Sequence, residues 1–64
     1  MKYRILEATN QYSSYAFEDI ENQINCAAKQ GYRLDRPLQL IFEDGDVHQV
    51  RIYHVIAVLT KDEV

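Results

Sequence analysis

A chain of 64 residues with ten Asp and Glu against seven Lys and Arg carries a net charge of -3, and general nucleic-acid binding, which needs a basic surplus to neutralise phosphates, is not expected. One domain, residues 1–64, is expected, near the size at which a single core only just offsets the entropy of ordering the backbone. The lone cysteine, Cys26, excludes an internal disulfide, no Cys/His set has the spacing of a zinc site, and no apolar run approaches the ~20 residues that span a bilayer.

Without those staples, self-association is the remaining source of extra stability. Met1-Lys2 leads straight into an alternating segment rather than a leader-like one, so a reducing cytoplasm is the expected compartment.

In chain order, Lys2 to Ala8 alternates as a strand does, with Tyr3, Ile5 and Glu7 against Arg4, Leu6 and Ala8. Thr9-Asn10-Gln11-Tyr12-Ser13 is polar and turn-forming and contains no Gly-rich phosphate loop. From Ser14 the spacing of Phe17, Ile20, Ile24 and Ala27/Ala28 predicts an amphipathic helix with those residues on its buried stripe. Ser13 or Ser14 is suited to cap its start, the acids Glu18, Asp19 and Glu21 lie toward that end, and Lys29 lies in its last turn. Gly31 is suited to a left-handed stop. Cys26, roughly 200° of helix rotation from Ile24, is expected to face away from the core.

Beyond the helix, Tyr32-Arg33-Leu34 starts a second extended segment that Asp35-Arg36-Pro37 interrupts, because Pro37 has no N–H to give a ladder and restricts Arg36. A kink or an edge is expected there. Leu38, Leu40 and Phe42 then share one side of a resumed strand, and Glu43-Asp44-Gly45-Asp46 supplies a hairpin turn. A long last strand, Val47 to Leu59, has room for a bulge, and the tail from Thr60 to Val64 is expected to fray.

That last strand is apolar at both parities, with Ile52, Ile56 and Val58 on one side and Tyr53, Val55 and Leu59 on the other. One helix covers only one face of a small sheet, so the other face needs its own cover. Two covers are open: a second copy of the chain, meeting it by sheet face or edge strand, or the long hairpin folding over its own sheet. The size of the chain favours the second copy. A strand, a helix, a second strand and a hairpin-linked third then give a small β-α-β-β domain of the α+β class. Its three-stranded antiparallel-type sheet has order 2-3-1, and the single helix covers one face.

The opening Lys2-Tyr3-Arg4-Ile5-Leu6-Glu7, the handover Gly31-Tyr32-Arg33-Leu34 and the closing Val55-Ile56-Ala57-Val58-Leu59 resemble those of a group of small uncharacterised bacterial and phage domains. These share a Lys-Tyr-basic-aliphatic first strand and a Gly-Trp-Glu-Leu segment after the helix. Here Tyr32 stands for the Trp and Arg33 for the acid. The resemblance implies the fold and carries no agreed activity.

Chemistry is sparse along the chain, and neither an enzyme nor a cofactor is expected. His48 and His54 are about 20 Å apart on a regular strand, too far to share a metal, and each is read as a half-buried strand residue. Glu18/Asp19 and Asp44/Asp46 suit a helix start and a turn better than paired catalytic carboxylates. Two surfaces remain. Tyr32, Arg33, Arg36 and Lys29, with Arg4 and Arg51 as candidate neighbours, combine phosphate-binding guanidinium groups with a stacking ring and suit a small nucleotide. They suit better a plain solvated loop, in which Asp35 pairs with Arg33 or Arg36 and the C-terminal end of the helix repels anions. Glu18, Asp19 and Glu21 form an acidic helix face suited to a partner protein. The first expectation is therefore a non-catalytic homo-oligomeric binding or adaptor protein, such as a phage or mobile-element product that blocks a host factor. The second is an oligomer that sequesters a small nucleotide signal.

Overall fold

A computed structural model describes residues 1–45 and 50–62. The elements are β1 (Lys2–Asn10), α1 (Ser13–Ala28), β2 (Arg33–Leu34), β3 (Gln39–Asp44) and β4 (Arg51–Lys61). Together they make a small α+β domain in which α1 packs on one face of an antiparallel sheet. β4 is central: β1 runs along one edge of it, from Lys2 opposite Lys61 to Asn10 opposite Tyr53, and β2 and β3 share the other.

The last strand lies in the middle as expected, but order and count differ in detail: the described residues form four strands instead of three, with β3 pairing β4 off the path β1-β4-β2. Asp35-Arg36-Pro37 is the reason. Between Leu34 and Gln39 the edge has four residues where β4 has only Ala57 and Val58, so two residues bulge out of the ladder. Asp35 N–H still reaches Val58 O at 2.9 Å. An insertion of two residues preserves the alternation, so Leu34, Leu40 and Phe42 remain on one face.

Pairing overrides polar composition at three other boundaries. Thr9 and Asn10 extend β1 because His54 and Tyr53 continue the ladder opposite them, leaving only Gln11-Tyr12 as the link to α1. Glu43 and Asp44 belong to β3, not to a turn, and Gly45 N–H bonds to Val50 O beyond them. Thr60 and Lys61 are the end of β4 rather than a frayed tail, with Thr60 between Tyr3 and Arg33. Both registers of β4 run without a slip, so the described residues 51–61 contain no bulge. Asp46, Val47, His48, Glu63 and Val64 lie outside the described residues.

The helix starts differently from the expectation and stops as expected. Tyr12 is the extended residue before α1 and makes no side-chain cap, whereas Ser13 and Ser14 already lie in the first turn. Asn10 organises this corner instead, its Oδ1 accepting Tyr12 N–H at 3.0 Å. No acid lies in the first turn, so Glu18, Asp19 and Glu21 gain little from a dipole whose influence fades within that turn. Lys29 follows the last turn. At the other end Gly31 has φ 93°. Tyr32 N–H bonds to Ala27 O at 3.2 Å and Gly31 N–H to Ala28 O at 3.0 Å, the paired bonds of a Schellman stop.

Ala16, Ile20 and Ala27 form the buried stripe of α1, with Ile24 partly buried beside it. Phe17 and Ala28, expected on the stripe, lie on its exposed flank. The stripe meets Ala8, Val55, Ala57, Leu59 and Tyr32. Alanines at 8, 16, 27 and 57 keep this layer thin and leave no room for a ring such as that of Phe17. Among the described residues no helix is long and apolar enough to cross a membrane.

Candidate functional site

Successive strand residues point to opposite faces, so β4 divides its side chains. Val55, Ala57 and Leu59 lie under α1 with no exposed surface, while Ile52, His54, Ile56, Val58 and Thr60 take the other face. Their cross-strand partners share it: Tyr3, Ile5, Glu7 and Thr9 from β1, Arg33 from β2, and Gln39, Ile41 and Glu43 from β3. Ile5 is 71% exposed, Tyr3 55% and Ile41 51%. β3 lies beside β4 in the sheet and does not fold across it, so nothing among the described residues covers this apolar face.

Its polar feature is His54. The ring Nε2 is 3.1 Å from Glu43 Oε1 on β3, and Nδ1 is 3.3 Å from Glu7 Oε1 and 3.2 Å from Thr9 Oγ1 on β1. One imidazole therefore ties three strands together. Its side chain is only 25% exposed, as the half-buried reading expected. The hydrogen bond to Glu43 raises the imidazole pKa above its usual value, partial desolvation opposes this, and Glu7 adds to the rise. A doubly protonated ring donates to both carboxylates. This constellation was not read from the sequence, because it depends on cross-strand register: Glu7 and Glu43 stand one residue pair diagonal to His54 on either side. Among the described residues no group of His, Cys, Asp and Glu has the disposition of a metal site.

The cationic cluster takes another form. Tyr32 is buried in the core, with the Arg4 guanidinium 4.6 Å from its ring centroid and Lys61 Nζ at 5.5 Å. Arg4 also donates to Gln30 Oε1 at 3.1 Å. Arg33, the next residue, stands on the opposite face beside Thr60 and pairs with Asp62 at 3.3 Å. Arg36 sits in the bulge and pairs with Asp35 at 2.7 Å, and Lys29 is exposed after the helix. Within one chain these four do not converge. Arg51, a candidate neighbour of the cluster, pairs with Asp44 at 3.0 Å and lies roughly 26 Å along β4 from the level of Arg4.

Glu18, Asp19 and Glu21 are exposed on α1, and Asp19 Oδ2 accepts from Gln23 Nε2 at 3.4 Å. Gln23 Nε2 also reaches Glu7 O at 3.2 Å. Cys26 is exposed, as its position on the helix wheel implied.

Comparison of the chain with protein-family models, curated proteins and solved structures gives no match.

Proposed function

We propose that this chain is a non-catalytic binding protein that works as a homo-oligomer. Its copies join through the open sheet face, and the acidic side of α1, at Glu18, Asp19 and Glu21, engages a partner protein. The observation that supports the reading is the uncovered face itself, where Tyr3, Ile5, Ile41, Ile52, Ile56 and Val58 form one apolar surface on a domain with a thin core. Covering it with an identical surface needs no other component and gives a closed, self-complementary contact. The helix lies on the far side of each sheet and stays accessible in such an assembly.

Native mass spectrometry and sedimentation of the purified protein test this directly. A discrete oligomer is expected, and Ile5→Glu combined with Ile56→Glu should leave a folded monomer, because two carboxylates would be desolvated at the contact. A wild-type monomer at every concentration would sink the proposal. A nucleotide-sized adduct on the oligomer would instead bring forward the sequestering reading. Reversal of Glu18, Asp19 and Glu21 to Lys should abolish partner capture without changing subunit number.

A further inference from the structure

Resting on that reading, we infer that the second copy lies face to face with the first in antiparallel orientation, so that Arg33 of each subunit meets the partner's Glu43. Two packed sheets related by a two-fold axis have two simple arrangements, with the axis along the strands or across them. The charges on the open face distinguish them. Glu43, opposite Ile52, bonds His54 near the start of β4, and Glu7, opposite Ile56, reaches the same ring from the middle of the strand, whereas Arg33 stands beside Thr60 near its end, roughly 20 Å beyond His54.

With the axis along the strands, like ends would stack and four carboxylates would crowd about two imidazoles in a water-poor contact. Such like-charge juxtaposition works against association. With the axis across the strands, near the level of Ala57, opposite ends meet: the two Glu43 part by roughly 33 Å, and the two Glu7, opposite Ile56 beside the axis, each stay bonded to their own His54. Lateral position is then kept, so the edge formed by β2 and β3 in one copy lies over the same edge of the other. Arg33, at the level of Thr60, comes over the level of His54, on the side where Glu43 stands. Ile56 meets the partner's Val58 at the centre. Among the described residues the Arg33 guanidinium is held within its own chain by bonds of 3.3 and 3.5 Å to Asp62, and it has further donors to give.

The area is sufficient as well. One broad side of a body measuring 51 × 17 × 14 Å is roughly a quarter of its surface, here 4780 Å² in all; an axis near Ala57 overlaps roughly two-thirds of that side, close to the area of about 800 Å² per partner that a standard interface takes.

Two measurements on the full chain test the orientation. A nitroxide placed by Asp44→Cys in a Cys26→Ser background sits near the outer end of β3, so the antiparallel dimer should give a label-to-label distance of about 40 Å. A distance under about 25 Å would overturn the orientation. Arg33→Glu and Glu43→Arg should each weaken dimerisation roughly tenfold, and the double variant should recover most of that loss. Single reversals without effect, or a double variant no better than the singles, would overturn the Arg33–Glu43 contact even if the protein is a dimer. A wild-type protein that is monomeric throughout would overturn the oligomer reading as well.

Discussion

The imidazole Nε2 of His54 lies 3.1 Å from Glu43 Oε1, binding the central strand to its edge neighbour across the open face. The same ring reaches Glu7 on the other side, so its charge state sets how firmly both edges are held. Because the folded-state pKa is raised, the contribution is fully present below the unfolded value near 6.5 and is lost as pH rises through the folded value. The stability advantage of the wild type over His54→Gln should therefore be larger at about pH 6 than at about pH 9. Denaturant unfolding at the two pH values checks this, and an advantage that grows with pH would reverse the assignment.

Gly31 ends the helix at φ 93°, in the region that residues with a Cβ enter at a cost. A Cβ there would find Lys61 Cε no closer than 3.4 Å, so space is not the obstacle and the cost is conformational. Gly31→Val should lower stability by about 1–3 kcal/mol, with Gly31→Asn less damaging. An unchanged melting temperature for the Val variant would remove the argument.

The elements that were legible in the sequence share a local cause. Gly31 announces a stop, Pro37 announces a break in an edge, and the double parity of Ile52 to Leu59 announces a strand with two apolar faces. The rest depended on partners distant in sequence. Thr9, Asn10, Glu43, Asp44, Thr60 and Lys61 look like loop residues alone and become strand because β4 or its neighbours pair with them. The helix stripe settled on Ala16 instead of Phe17 because Ala8 and Ala57 across the layer leave a shallow space. The His54 constellation was hidden for the same reason, since only the register shows that Glu7 and Glu43 flank it. Tyr32 and Arg33 read as one cluster because they adjoin in sequence, yet adjacency in an extended segment places them on opposite faces.

The corner before α1 separates two capping schemes. Asn10 Oδ1 holds Tyr12 N–H, while Ser13 and Ser14 lie inside the first turn, where no side-chain cap is made. Asn10→Ala should cost about 1 kcal/mol, and Ser13→Ala or Ser14→Ala should stay within about 0.5 kcal/mol of the wild type. Thermal unfolding of the three variants decides between them. A larger loss at either serine would restore it as the cap.

Thr60 presents a buried group that its surroundings do not serve. It is 2% exposed near the end of β4, between Tyr3 and Arg33, and its Oγ1 finds no hydrogen-bond partner among the described residues. A hydroxyl stripped of water without replacement opposes folding, and valine has nearly the same shape, keeps the β-branch that suits a strand and removes the polar atom. Thr60→Val should therefore raise stability by about 1 kcal/mol. The backbone ladder of Thr60 is untouched by the change, so the midpoint of denaturant unfolding should move while its slope stays the same. A loss of stability in the Val variant would mean that the hydroxyl is served by a bond in solution, and Thr60→Ser, which keeps the hydroxyl but loses the methyl, would then be the better tolerated of the two.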